Sequence, residues 1–256
     1  MEITWFKIPQ WERHNGLLHG FIGRRGGKSV GPYAGLNTSH RVGDDARVVS
    51  QNVCDMKQIV GIHDGRIITM KQVHGDQVIE VKNGNIKEAG EADGMLTQEK
   101  DAFLSVLTAD CVPLLFVAPH RKVAAVVHAG WRGSLAGIAA KMVNVMRAEH
   151  GISPERVEAA IGPAIGPCCY EVKEDVSRPL INRWEKIADA CLEKREGKIF
   201  LDLPRLNRLT LEQSGVPSTQ IFDVRTCTSC VAEDFFSYRR ERKETGRQIS
   251  FVGWVS

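Results

Sequence analysis

The chain has 256 residues, 43% hydrophobic and 25% charged, ordinary values for a globular protein long enough for one large core. A net charge of +3, with no basic run longer than Arg239-Arg240, gives no case for nucleic acid or an anionic membrane. The start, MEITWFKIPQWER, is charged too early for a signal peptide, and no stretch approaches the ~20 apolar residues of a membrane span, so a soluble, cytoplasmic protein is expected.

Residues 20–29 run from a short strand into a glycine-rich, basic loop that carries Arg24 and Ser29 but lacks the GxxxxGK[ST] spacing of a P-loop. Asp44-Asp45 then caps a helix with Val49, Val53, Met56 and Val60 on one face. Residues 66–70 and 77–81 read as strands, and the polar stretch Lys71-Gln72-Val73-His74-Gly75-Asp76 lies between them. Residues 83–92 are polar and glycine-bearing, the composition of a surface loop.

The centre of the chain, residues 104–134, holds three short apolar runs at 104–107, 113–118 and 123–127, rich in Val and Leu as buried strands are. Polar residues interrupt them at Thr108-Ala109-Asp110-Cys111 and at His128-Ala129-Gly130-Trp131-Arg132-Gly133. Strand ends are where such folds present side chains to ligands. Ser134 has the character of an N-cap, and Leu135, Ile138, Ala139, Met142, Val145 and Met146 follow at helical spacing, which predicts one amphipathic helix over 134–149. Arg132 beside that helix start suits an anion; a tight turn with a solvated arginine fits the pattern equally well.

Further on, residues 157–161 read as a strand entering the rigid loop Gly162-Pro163-Ala164-Ile165-Gly166-Pro167-Cys168-Cys169-Tyr170. Leu180, Trp184, Ile187, Ala188 and Cys191 mark a helix, and Asp202 caps another with Leu203, Leu206 and Leu209, ended by Gly215. Residues 220–224 read as a strand before a basic tail. With no repeat or long linker, the expectation is one α/β domain over residues 1–256.

Seven cysteines without an export signal argue against a disulfide framework. Cys227-x-x-Cys230 lacks a second pair of the usual zinc spacing, and the adjacent Cys168-Cys169 does not supply one, so both pairs are read as structural. His74, His128 and Cys111 differ from the other histidines and cysteines because each sits at a strand end. Two imidazoles and one thiolate are the donor set of an open zinc site. The same residues without metal would make a hydrolase with Cys111 as nucleophile, His128 as base and Asp110 orienting it. A buried cysteine and two ordinary histidines fit the pattern as well. Copper is disfavoured, because no His-x-His pair occurs and Cys111 has no neighbouring histidine.

Three segments, Gln72-Val73-His74-Gly75, Thr108-Ala109-Asp110-Cys111-Val112-Pro113 and His128-Ala129-Gly130-Trp131-Arg132-Gly133, resemble the YlmD/YfiH family. So do Arg24-x-Gly26-Gly27-x-Ser29, Val42-Gly43-Asp44-Asp45, Gly162-Pro163-x-Ile165-Gly166-Pro167-Cys168-Cys169 and Phe236-Ser237-Tyr238-Arg239-Arg240 with Thr245-Gly246-Arg247. These are laccase-domain proteins, once called polyphenol oxidases and now regarded as purine nucleoside phosphorylases. The resemblance implies an α/β (α+β) fold, a layered α/β/β/α sandwich like that of a bacterial toxin deamidase, with mixed sheets and flanking helices. It also implies Zn2+ held by His74, Cys111 and His128. The implied activity is phosphorolysis of adenosine, inosine, guanosine and methylthioadenosine, with deamination of adenosine beside it. On that reading Cys111, His128 and Asp110 are the catalytic candidates, and Arg132, Arg24, Ser29 and Gln72 the candidates for substrate and phosphate. Purine nucleosides and phosphate would be the partners of a monomer or homodimer, with no nucleic acid and no membrane.

Overall fold

The apolar runs at 113–118 and 123–127 become strands because their alternate residues feed two different hydrophobic layers. Leu115, Val117, Ala124 and Val126 join one core, while Leu114, Phe116, Ala125 and Val127 join another, and all are fully buried. The computed structural model describes residues 2–63, 65–82, 86–242 and 244–256. In chain order its strands are β1 (Trp5–Phe6), β2 (Leu17–Ile22), β3 (Arg66–Lys71), β4 (Val78–Glu80), β5 (Glu88–Glu91), β6 (Gly94–Thr97), β7 (Ala102–Thr108) and β8 (Val112–Ala118). Then come β9 (Val123–Ala129), β10 (Glu158–Ile161), β11 (Glu171–Val172), β12 (Leu192–Arg195), β13 (Lys198–Leu201), β14 (Ile221–Asp223) and β15 (Gln248–Trp254). The helices are α1 (Ala46–Val60), α2 (Trp131–Ala136), α3 (Ile138–His150), α4 (Glu174–Cys191), α5 (Leu203–Gln213) and the short α6 (Tyr238–Glu241). Among the described residues no helix is long and apolar enough to cross a membrane.

Two six-stranded mixed sheets stack on each other. One has the order β1-β2-β15-β7-β3-β5 and the other β14-β10-β8-β9-β6-β4. Ile68, Leu104, Val106 and Val252 of the first meet Met95, Leu115, Val126 and Ala160 of the second. The outer face of the second sheet packs on Ile138, Met142 and Met146 of α3, Leu180 of α4 and Leu206 of α5. The outer face of the first is covered by Met56 and Val60 of α1, against Phe103, Ile249 and Phe251. The layers run α/β/β/α, as the resemblance implied. A third, small sheet, β11-β13-β12, lies beside them.

Most strands and α1 fall where the sequence places them, and Asp45 caps α1 by accepting from the N–H groups of Arg47 and Val48. The predicted helix over 134–149 needs correction. Gly130 is the N-cap, α2 starts at Trp131, and Gly137 (φ 83°) both ends α2 and opens α3. Ser134 caps nothing: it is buried inside α2, where its hydroxyl accepts from Asn207 Nδ2 of α5 at 2.9 Å. The expected loop over 83–92 is also revised. Residues 83–85 lie outside the described residues, and 88–91 form β5, paired in parallel with β3. Its sequence, Glu-Ala-Gly-Glu, has no strand pattern; backbone pairing to an existing edge makes the strand.

Candidate active site

The C-terminal ends of β3, β7 and β9 meet the start of β8 at one end of the two-sheet stack. Antiparallel register pairs Val112 with Ala129 and Pro113 with His128, so Cys111, just before β8, comes level with the end of β9. His74 follows β3 in a turn with positive φ (60°). The carboxylate of Asp93 fixes that turn. Its oxygens accept from the N–H groups of Val73, His74 and Gly75 at 3.2, 3.0 and 2.6 Å.

The same carboxylate bonds His128 Nδ1 at 2.7 Å, and the Asp93 carbonyl accepts the His128 N–H at 2.7 Å. One fully buried acid therefore positions both histidines. The His128 Nε2 is left for a ligand, the arrangement by which an outer carboxylate orients a metal-bound imidazole. One ring nitrogen from each histidine and the Cys111 sulfur lie within 4.8 Å of one another. The two rings stand perpendicular, with centroids 4.8 Å apart. A Cβ on Gly130 would sit 3.1 Å from His74, 3.3 Å from Cys111 Sγ and 3.8 Å from His128. The bare glycine keeps that meeting point open. Two imidazoles and a thiolate converging on a gap no side chain fills fit a tetrahedral metal with one position for substrate.

Charge at the trio is strongly coupled. Burial pushes the Cys111 thiol up, but His128 and His74 outweigh it and hold it at about 6. Burial pushes His128 down, while Cys111 and Asp93 outweigh that and raise it to about 9. Burial opposes the charge on Asp93 too, yet His128 and the Gly75 and Val73 amides keep it below the usual carboxylate range.

A cavity of about 680 Å³ opens onto the trio, a volume suited to a small organic ligand. Arg41, Arg132, Arg239 and Arg247 give its walls positive charge, and Trp131 and Tyr170 supply aromatic surface. The Arg132 guanidinium lies over the Trp131 ring at 4.3 Å. Gln72 lines the cavity, but both ends of its amide are engaged, donating to Leu107 O and accepting from Leu107 N–H at 2.8 Å each. It ties β3 to β7. Asp110 also lines the cavity with both oxygens occupied, accepting from Thr228 Oγ1 and from the Arg239 N–H at 2.7 Å each. Those bonds make it the anchor of the 226–240 segment.

Arg24 and Ser29 are not among the residues lining this cavity. Arg24 pairs with Glu241 at 2.7 Å and lies over Phe236. Ser29 is buried and donates to Asp44 Oδ2 at 2.6 Å. Their motif builds the loop that closes over β2 and α1, so for these two the phosphate assignment is withdrawn. Sequence reading also missed Asp93, Tyr170, Arg239 and Arg247. Tyr170, Arg239 and Arg247 stand in motifs quoted above without a site role, and Asp93 carried a signal as an acid wedged between Ala92 and the apolar Gly94-Met95-Leu96. The reading that Cys168-Cys169 does not complete Cys227-x-x-Cys230 is overturned as well: the four sulfurs lie within 4.8 Å of one another.

Residues 18–255 match the family model described as multi-copper polyphenol oxidoreductase laccase. Purine nucleoside phosphorylase YlmD of Geobacillus stearothermophilus is 37% identical over 249 residues, covering 93% of this chain and 90% of the relative. Purine nucleoside phosphorylase YfiH of Escherichia coli is 34% identical, covering 97% and 98%. The crystal structure of a Bacillus licheniformis hypothetical protein, YfiH, superposes with a TM-score of 0.92 at 34% identity, over 98% of this chain and 96% of that one. With sequence and fold in agreement over nearly the whole length, the chain belongs to the YlmD/YfiH family of laccase-like proteins.

Proposed function

We propose that this chain is a zinc-dependent purine nucleoside phosphorylase, acting as one domain in the cytoplasm as a monomer or homodimer. It splits adenosine, inosine, guanosine and methylthioadenosine with phosphate and also deaminates adenosine. The observation that carries the reading is the convergence of His74, Cys111 and His128 on the wall of an arginine-rich cavity. The names of its relatives support the same reading.

In this proposal His74, Cys111 and His128 hold the zinc. When bound, the ion supplies Lewis-acid polarisation of an oxygen atom in the pocket. Trp131 and Tyr170 give flat apolar surface for a purine. Arg132, with Arg239 and Arg247, neutralises phosphate and holds it for attack on the anomeric carbon. The bond from that carbon to the base nitrogen breaks as the bond to a phosphate oxygen forms, and a proton goes to the leaving base. The oxocarbenium-like transition state needs fixed geometry and balanced charge more than a covalent nucleophile. Asp110 contributes by fixing the segment that carries Arg239, since both its oxygens are committed there.

Incubation of adenosine with and without phosphate, with products separated by chromatography, tests the reading. Adenine and ribose 1-phosphate are expected only with phosphate, and inosine in either case. Absence of all three products overturns it. Zinc removed by chelation and restored by added zinc, but not copper, is expected to switch activity off and on.

A second reading has one observation in its favour: Asp93, His128 and Cys111 form an acid–base–thiolate line without metal. The second imidazole, His74, has no part in such a triad and counts for the metal. Labelling of Cys111 by an electrophile in zinc-loaded protein as fast as in stripped protein would favour the hydrolase.

A further inference from the structure

On the wall behind Tyr170, two loops bring four thiols together. Cys168 and Cys169 come from the loop between β10 and β11, and Cys227 and Cys230 from the segment after β14. All four sulfurs lie within 4.8 Å of one another. Cys230 Sγ is 3.4 Å from both Cys168 Sγ and Cys169 Sγ, so it singles out no one partner, as a disulfide would. An S4 tetrahedron around zinc, with Zn–S near 2.3 Å, has edges of about 3.8 Å. Two sulfur pairs at 3.4 Å, with all four sulfurs within 4.8 Å, bracket that edge. The cluster is distinct from the His74–Cys111–His128 trio, which shares no residue with it.

Backbone pairing holds the two loops together. Ala164 and Cys227 form a parallel bridge, with the Ala164 N–H donating to Thr226 O at 3.2 Å and the Thr228 N–H to Ala164 O at 3.0 Å. The Gly166 N–H then donates to Cys227 Sγ at 3.3 Å, the kind of amide–sulfur bond that orients a thiolate ligand. A Cβ on Gly166 would lie 3.3 Å from Cys168 Sγ and 3.4 Å from Cys227 Cβ, so a side chain here would crowd the Cys168 sulfur. Two guanidinium groups tie down the loops that carry the cysteines. Arg195 donates to Pro167 O, and Arg240 Nη1 to Thr228 O and Ser229 O at 2.7 and 3.1 Å.

We propose that Cys168, Cys169, Cys227 and Cys230 form a second, closed metal site that binds zinc through four thiolates. Soft thiolates select zinc over magnesium or calcium, and four protein ligands leave no room for substrate. The site is structural. It staples the loop bearing Ile165 and Tyr170 to the segment bearing Thr228 and Arg239, and both line the cavity or brace Asp110.

Elemental analysis of the full chain, purified without chelator, tests this in two variants. His74→Ala is expected to retain zinc, and Cys168→Ser with Cys230→Ser to lose that retained pool while keeping the His74-dependent one. In His74→Ala loaded with cobalt(II), intense thiolate-to-metal charge-transfer bands with tetrahedral d–d absorption are expected. Titrating the unmodified chain with a mercurial reagent needs no variant, and is expected to release zinc beyond one ion per chain as thiols are consumed. A His74→Ala protein free of zinc, four freely reacting thiols with no metal released, or a mapped disulfide among them would overturn the proposal. None of these readouts depends on nucleoside chemistry.

Discussion

Asp93 is the residue on which the trio's geometry turns, because a single buried carboxylate holds the His74 turn and the His128 ring at once. Asp93→Asn keeps the shape but loses the charge that stabilises the paired imidazole. Metal affinity is expected to fall roughly 10–100-fold, as for other outer-shell partners, measured by competition with a chromophoric chelator. His19, buried in β2, sets a pH limit on stability. Burial lowers its pKa to about 4, and its Nε2 accepts the Ile8 N–H at 2.9 Å, a bond only a neutral ring can accept. An imidazole whose pKa lies lower folded than unfolded stabilises the fold above about pH 6.5 and loses that contribution as pH falls toward 4. The loss amounts to about 3 kcal/mol by pH 4. Urea unfolding of His19→Gln against the parent chain is expected to show that this part of the acid destabilisation is absent in the variant.

At the scale of elements, the break between α2 and α3 places the site. Gly137 adopts φ 83° and receives the Trp184 ring 3.3 Å from where its Cβ would be. The break aims the N-terminus of α2, with Gly130, Trp131 and Arg132, at the cavity, while α3 lies flat on the second sheet. Gly137→Ala is expected to cost about 1–2 kcal/mol for the left-handed backbone, read as a lower urea midpoint at unchanged m-value. Periodicity over 134–149 could not show this break, since Leu135 and Ile138 keep helical spacing across it. The signal was one glycine, which also reads as an ordinary helix residue. The β12–β13 hairpin and β5 were missed for a related reason, whereas β15, a buried central strand, was passed over in a tail read only for its basic charge. β5 and β12 are polar or edge strands whose partners, not their composition, make them strands.

The molecule as a whole is held by the layer between its sheets. Leu115, fully buried there, is expected to cost about 2–5 kcal/mol on change to alanine, measured by thermal or urea unfolding. Leu115 does not line the cavity, so activity at a temperature where the variant stays folded is expected to persist.

The sequence by itself determined the alternating strands of the centre, the caps of α1 and α5, and the three strand ends that carry His74, Cys111 and His128. Those are local matters of side-chain period and capping chemistry. Only the tertiary structure decided that Asp93 joins the two histidines, that Arg24 and Ser29 serve the fold and not the cavity, and that four cysteines from distant loops meet. Such encounters depend on the register and stacking of sheets, which bring together residues that the chain separates by 62 positions in the cysteine cluster and by 217 in the Arg24–Glu241 pair. No local pattern records which side chains will face each other once two layers close.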